Sequence, residues 1–178
     1  MQIERHSPCK VNFILNILGK RADGFHELET LLFPIQYCDR IVATRSGSGI
    51  QLSCSDPALA TDSTNLVYRA AMAFIELTGI GEGIAIHLEK RIPMAAGLGG
   101  GSGNAAATLL ALNDLFDKPL ASDAFAGVAA GLGGGSGNAA ATLLALNDLF
   151  DKPLALDAFT GVASRLGSDV PFFLQTKP

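Results

Sequence analysis

The residues of this chain best suited to chemistry form a glycine-rich stretch at residues 92–104, with five glycines between Gly97 and Gly103. Because glycine has no Cβ, its backbone N–H groups can turn inward and approach an anion closely. A helix is predicted to begin at Asn104, and a helix N-terminus adds unpaired N–H donors and a partial positive charge. The stretch therefore predicts a phosphate-binding loop, with a flexible turn or linker as the alternative.

Two common phosphate loops are excluded by residue type. A Walker A loop ends in Gly-Lys-Ser or Gly-Lys-Thr, whereas this loop ends in Gly-Ser-Gly-Asn. The dinucleotide fingerprint needs three glycines at fixed spacing, which residues 97–104 only approach. Pro93 before the loop also fits the tight turn of that fingerprint poorly.

Two predicted elements position the loop. A strand is predicted over residues 83–90, where apolar residues alternate, and a helix over residues 104–116, where they recur at helical spacing. The apolar positions of that helix are Ala105, Leu109, Leu112 and Phe116. The order strand, glycine loop, helix is the arrangement that a phosphate cradle requires.

The residues before this unit are predicted to form strands and one helix. Residues 10–18 and 26–35 are extended runs, and Pro34 indicates a strand end or a sheet edge. Residues 39–45 and 50–54 are predicted to pair as a hairpin around Gly47, Ser48 and Gly49. A helix is predicted over residues 65–78, with Thr64 or Asn65 as N-cap, Gly79 as its end and one apolar stripe. The stripe consists of Leu66, Ala70, Ala73, Phe74 and Leu77.

Composition limits the class of protein. The chain has 178 residues, 48% of them hydrophobic and 17% charged, which is typical of a globular domain with one core. A net charge of −4 gives no electrostatic basis for binding nucleic acid, and the sequence indicates neither a membrane span nor a signal peptide. Its three cysteines have no zinc-site spacing, so reduced thiols and a cytoplasmic location are expected.

Several strings resemble the motifs of the GHMP small-molecule kinases. Residues 93–102, Pro-Met-Ala-Ala-Gly-Leu-Gly-Gly-Gly-Ser, are similar to the family's second motif, and Gly103 stands where a second serine is usual. Residues 7–12, Ser-Pro-Cys-Lys-Val-Asn, resemble its first motif, with Cys9 in place of alanine. Residues 21–28 and 166–173 resemble two further family strings, Arg-x-Asp-Gly-Tyr/Phe-His-Glu-Leu and Leu-Gly-x-Asp-Val-Pro-Phe-Phe.

This resemblance implies an α+β fold, the N-terminal domain of the GHMP kinases, with a mixed or antiparallel sheet and helices on one face. It implies a kinase that uses ATP with Mg²⁺ to phosphorylate a hydroxyl of a small cytidine diphosphate derivative in isoprenoid biosynthesis. Asp169 would accept or orient the hydroxyl proton. Lys10 would lie close to Asp169 and keep its carboxylate ionised. An ordinary exposed lysine and an aspartate that ends a strand are the plain alternatives.

The resemblance also implies the binding residues, while the protein ligands of Mg²⁺ stay unnamed. The substrate would contact Asn12, Phe25 and His26, although His26 could equally be a partly buried structural histidine. The nucleotide would be bound by Asn65, Pro93, Gly97, Leu98, Gly99, Gly100, Gly101, Ser102 and Gly103.

The chain contains an internal repeat, because residues 95–121 are identical to residues 129–155. Two copies are too few for a solenoid, so a tandem duplication is the better interpretation, whether it is natural, engineered or an artefact of sequence assembly. Copy one is expected to bind phosphate, since copy two would leave a long loop between strand and cradle. The second glycine loop, residues 131–137, would be a surface connection. Its helix, residues 138–150, would then add an extra helical segment that packs on the first helix or forms a homo-oligomer.

The resemblance therefore implies one N-terminal domain over residues 1–178, without the C-terminal domain of the family. Weak activity is expected for such a chain. The alternatives are an inactive nucleotide-binding pseudokinase and a GHMP kinase with another substrate.

Overall fold

The computed structural model describes residues 1–20 and 26–117. These residues form one mixed sheet with two helices packed on it, which confirms the predicted α+β class. In chain order the elements are β1 (Gln2–Lys20), β2 (His26–Ser46), β3 (Ile50–Cys54), α1 (Leu66–Thr78), β4 (Gly83–Glu89) and α2 (Gly100–Leu115). In the sheet the strands follow the order β1, β2, β4, β3. No helix in these two ranges is long and apolar enough to cross a membrane.

The core lies between the sheet and the two helices. Alternate residues of β2 and β4 point toward the helices because side chains along a strand alternate between its faces. The helices contribute one aromatic side chain and several leucines to the same cluster. Its largest fully buried members include Ile41, Ile84, Leu88, Phe74, Leu109 and Leu112.

The first two strands continue well beyond the rest of the sheet. They pair antiparallel from Gln2 opposite Thr44 to Lys20 opposite His26, whereas β4 pairs with β2 only from Arg40 to Ser46. Pro34 lies inside β2, so the predicted strand end is wrong. Within residues 1–20 and 26–117 no strand pairs with β2 on its other side at Pro34. The other predicted possibility, a sheet edge at Pro34, therefore fits. At an edge, the N–H group that proline lacks would have no neighbouring strand to bond.

The predicted hairpin of residues 39–45 and 50–54 is wrong. β4 lies between β2 and β3, antiparallel to the former and parallel to the latter. The chain leaves β3, passes through α1 and returns as β4. Gly83 makes this insertion possible, because a Cβ there would lie 2.5 Å from the Ser48 backbone nitrogen. The Ile84 N–H then donates to the Gly49 carbonyl at 2.8 Å, which ties the turn to the inserted strand.

Helix α1 has the predicted limits. The Asn65 side chain caps it by accepting a hydrogen bond from the Val67 N–H at 2.8 Å. Gly79 ends it in the left-handed region, at φ 65°, and donates to the Ile75 carbonyl. The buried face is rotated from the predicted stripe, because Leu77 is 52% exposed. The buried residues of the helix are Val67, Ala70, Ala71 and Phe74.

Helix α2 begins at Gly100, four residues before the predicted start at Asn104. The Gly103 N–H donates to the Gly99 carbonyl at 2.9 Å, so the last glycines of the loop form the first helical turn. Glycine lowers helix propensity by about 1 kcal/mol per residue, but close packing outweighs this here. A Cβ on Gly103 would lie 2.7 Å from the Ser7 hydroxyl oxygen, so this end of the helix sits directly against β1.

Candidate phosphate-binding site

The glycine loop joins the end of β4 to the start of α2. Gly97 and Gly99 have φ angles of 71° and 75°, which glycine adopts without strain. A Cβ at Gly97 would meet no atom of the described residues within 4 Å, so on their account the backbone there faces open space. Gly99 is the N-cap of α2 and offers no side chain to cap it, and the first turn carries no acidic residue. Since a helix leaves its first N–H groups without helical partners, this end of α2 suits an anion.

Lys10 is attached to this loop through the backbone. Its N–H donates to the Leu98 carbonyl at 2.9 Å, which fixes the middle of β1 beside the loop. The Lys10 ammonium donates to Asn12 Oδ1 at 2.5 Å. Burial lowers the pKa of Lys10 from its ordinary value of 10.5, because a partly desolvated ammonium is less stable. An ammonium has three donors, so Lys10 can bind an anion while it keeps its bond to Asn12.

A buried aspartate that the sequence did not reveal lies beneath the loop. Asp39 is completely buried, and its Oδ1 accepts from the backbone N–H groups of Arg91 at 2.6 Å and Ile92 at 2.8 Å. Its Oδ2 accepts from Lys90 Nζ at 2.7 Å and from Asn104 Nδ2 at 2.9 Å. All these partners are more than 50 positions away in the chain. No spacing rule could have linked them to Asp39, which the pattern presented only as the first residue of a strand.

The other predicted nucleotide-binding residues have varied surroundings. Asn65 is buried, and besides capping α1 it donates from Nδ2 to the Ala60 carbonyl at 2.6 Å. Pro93 is exposed in the loop, whereas Ser102 is half-buried in the first turn of α2. A Cβ added to Gly100 would lie 3.1 Å from the Ile92 side chain, and a Cβ added to Gly101 would lie 3.3 Å from the Leu66 side chain. The nucleotide-binding roles of these residues stay predictions.

The predicted substrate residues are spread along the first two strands. Asn12 is exposed beside Lys10. His26 begins β2 opposite Lys20, while Lys10 pairs with Pro34, eight positions further along β2. At about 3.3 Å per residue, His26 and Lys10 are therefore roughly 26 Å apart along the strands. Phe25 and Asp169 lie outside the described residues, as does the second glycine loop, so the expected approach of Lys10 and Asp169 stays a prediction.

The described part of the chain shows no preformed metal site, since no three His, Cys, Asp or Glu side chains cluster there. The protein ligands of Mg²⁺ were not predicted from the sequence and stay unnamed. In the same ranges Cys9, Cys38 and Cys54 are all free thiols. The pKa of Cys38 is raised above its ordinary value, chiefly because burial disfavours the charged thiolate.

Comparison with known proteins places the chain in a family. The family model described as GHMP kinases N terminal domain matches residues 65–130 and again residues 126–177. A 4-diphosphocytidyl-2-C-methyl-D-erythritol kinase of Desulfitobacterium hafniense (strain Y51) is 47% identical over 122 residues, which are 68% of this chain and 41% of the relative. The kinase of the same name from Shewanella sp. (strain MR-4) is 46% identical over 123 residues, 68% of this chain and 43% of the relative.

Solved structures agree with this result. A crystal structure of 4-(cytidine 5'-diphospho)-2C-methyl-D-erythritol kinase matches 97% of this chain and 48% of its own, with a TM-score of 0.60 and 37% identity. A homoserine kinase from Cytophaga hutchinsonii matches 74% of this chain and 40% of its own, with a TM-score of 0.60, but at 23% identity it shows the fold alone. The chain spans less than half the length of these relatives. It belongs to the GHMP kinases, and its fold is the N-terminal domain of that family.

Proposed function

We propose that this chain is the ATP-binding part of a kinase that phosphorylates the 2-hydroxyl of 4-diphosphocytidyl-2-C-methyl-D-erythritol in non-mevalonate isoprenoid biosynthesis. Relatives of that name are 46–47% identical to it over about two thirds of the chain. The observation that carries the proposal is the hydrogen bond from the Lys10 N–H to the Leu98 carbonyl. It fixes a basic residue of β1 beside a glycine loop that ends at a helix N-terminus.

The loop fits the phosphates of ATP, which would supply the transferable phosphoryl group. Among the described residues Gly97 leaves open space for an anion and no side chain caps α2, whose N-terminus suits phosphate oxygens. Phosphoryl transfer depends mainly on positioning and on compensating negative charge. The proposed nucleotide residues are those of the loop, with Asn65 at the adenine end.

Lys10 and Asp169 are the proposed catalytic pair. The Asp169 carboxylate would accept or orient the proton of the attacking hydroxyl, and Lys10 would keep that carboxylate ionised. Burial lowers the pKa of Lys10, so a neighbouring anion would stabilise its charged form. Asn12, Phe25 and His26 would contact the cytidine end of the substrate. Mg²⁺ would arrive with ATP, and a cytoplasmic location agrees with the three free thiols.

We further propose that copy one of the repeat binds the phosphates, within a single N-terminal domain. In copy one the loop follows β4 directly and leads directly into α2. The matched test uses Gly97→Val and Gly131→Val, which change equivalent positions in the two identical copies. A β-branched residue is strained at the φ of 71° found at Gly97. Only Gly97→Val is expected to abolish binding of an ATP analogue, and loss of binding with Gly131→Val alone would reverse the assignment.

Turnover is tested with radiolabelled ATP and the proposed substrate, using Lys10→Met as the control variant. Phosphorylated product that depends on Lys10 and is suppressed by cytidine nucleotides supports the proposal. Equal activity on mevalonate or a sugar would point to another GHMP reaction. Binding of an ATP analogue without turnover would favour a nucleotide-binding role.

A further inference from the structure

The buried carboxylate of Asp39 connects both ends of the glycine loop. Arg91 and Ile92 lie where the chain leaves β4, and Asn104 lies in the second turn of α2. Asp39 accepts hydrogen bonds from all three. The segment between Ile92 and Asn104 is thus held at its entry and its exit by one side chain on β2.

Lys90 completes this arrangement, and Asp39, Lys90 and Asn104 are here called the loop anchor. The Lys90 side chain is only 6% exposed and forms an ion pair with Asp39. Its ammonium also donates to the Ile92 carbonyl and lies 3.5 Å from the position of a Cβ on Gly100, the first residue of α2. A cation at a helix N-terminus is unfavourable, so the Asp39 carboxylate offsets its charge there.

Within the described residues, the Asp39 carboxylate has no surface exposed to a ligand. Asp39 is fully buried and all four of its hydrogen bonds go to the protein. A buried ion pair contributes little net stability compared with apolar residues of the same volume, but removal of one partner is strongly unfavourable. The anchor therefore serves geometry, because it fixes the position of the backbone donors that precede and begin α2.

We propose that Asp39 is a positioning residue of the phosphate loop: through the backbone N–H groups that enter the loop and through Asn104 it holds the loop in the conformation that binds ATP. The inference rests on the proposed function for its ligand. It concerns a residue that lies in neither the loop nor the motif of Lys10.

The test uses Asp39→Asn in the full 178-residue chain. The asparagine oxygen can still accept from the Arg91 and Ile92 N–H groups, but its NH₂ group then faces the Lys90 ammonium and the Asn104 amide, so donor meets donor. A second change, Lys90→Met, removes the ammonium. Asn104 Oδ1 is buried without a partner among the described residues, so the Asn104 amide can turn and accept from the new NH₂ group. The double variant should therefore rescue the single one.

Two measurements are made on each variant: amide hydrogen exchange of residues 92–104 without nucleotide, and the Kd for a non-hydrolysable ATP analogue. Asp39→Asn is expected to speed exchange in this segment and to raise the Kd by about tenfold, with rescue in the double variant. Arg91→Ala is the matched control, since among residues 1–20 and 26–117 its side chain bonds only Glu89 while its N–H still reaches Asp39. This control is expected to leave both quantities unchanged.

Unchanged exchange in residues 92–104 of a folded Asp39→Asn variant would overturn the proposal. Equal acceleration throughout β1, β4 and the loop would also overturn it, because that pattern indicates a general structural role. If Asp39→Asn does not fold, Asn104→Ala decides by the same criteria, since it removes one bond and keeps the ion pair. Absence of ATP-analogue binding by the unmodified chain would refute the proposed function, while the exchange measurement would still test Asp39.

Discussion

Substitution of Gly83 by alanine tests the insertion of β4 between β2 and β3. A Cβ at this position would lie 2.5 Å from the Ser48 backbone nitrogen and 2.6 Å from both the Ser48 carbonyl carbon and the Ser46 hydroxyl oxygen. Carbon atoms prefer separations of about 3.5–4.0 Å, so the turn would have to move by about 1 Å. Two of the three contacts are to backbone, which no rotamer change can relieve.

The expected change in the free energy of unfolding is the cost of overpacking less the gain from a more restricted unfolded chain. Overpacking costs about 1–3 kcal/mol, and the lower entropy of the unfolded alanine variant returns about 0.4–1 kcal/mol. Gly83→Ala is therefore expected to lower the free energy of unfolding by about 1–2 kcal/mol. Gly81→Ala is the matched control, because a Cβ there meets no atom of the described part of the chain within 4 Å; it should raise the free energy of unfolding by about 0.4–1 kcal/mol.

Both variants are compared with the unmodified chain by urea unfolding, followed by far-ultraviolet circular dichroism. The urea midpoint should fall for Gly83→Ala and rise for Gly81→Ala, while the m-value stays constant. A Gly83→Ala variant as stable as the Gly81→Ala variant would show that the Ser46–Ser48 turn does not cover β4. The reasoning about strand order would then fail.

Three further outcomes are expected. Gly103→Ser should be more stable to urea than Gly103→Ala by about 0.5–1.5 kcal/mol once Ser7 shifts to admit the new Cβ, because only the serine hydroxyl can pair with Ser7 Oγ, which is buried without a partner in the described part of the chain; equal stabilities would contradict this. Asn65→Ala should lower the free energy of unfolding by about 0.5–2 kcal/mol through loss of the α1 cap, and Asn65→Asp should recover only part of this, because its second oxygen would face the Ala60 carbonyl; a neutral Asn65→Ala change would count against the cap. Because burial lowers the pKa of Lys10 and a bound anion should raise it again, binding of an ATP analogue at alkaline pH below the ordinary lysine pKa of 10.5 should be accompanied by proton uptake in calorimetry with two buffers. Lys10→Arg should bind without that uptake, since arginine does not titrate, and equal uptake by both proteins would exclude Lys10 as its source.

Local signals were sufficient for the elements beside the loop. The cap at Asn65, the end at Gly79 and the alternation of Ile84, Ile86 and Leu88 predicted α1 and β4 to within a residue. These features depend on hydrogen bonds and side-chain directions within a few positions of the chain. The motifs around Lys10 and Gly97 likewise predicted the family correctly.

Features that depend on tertiary contacts could not be predicted. A short glycine-containing turn between two strands is typical of a hairpin, and nothing near Gly49 shows that β4 will enter there. The helical start at Gly100 opposes glycine's own propensity and follows from packing against Ile92 and β1. Asp39 was missed for the same reason, since its four partners meet it only when β2, β4 and α2 are assembled.

The position of β4 also has a consequence for the order of folding. β2 and β3 are joined by a short turn, yet their shared neighbour arrives only after α1, at Gly83–Glu89. During synthesis from the N-terminus, both strands leave the ribosome with unpaired edges before β4 exists. Any premature pairing of β2 with β3 must separate before β4 can enter. Because this closure joins distant segments, we expect insertion of β4 to be the slow step of sheet assembly.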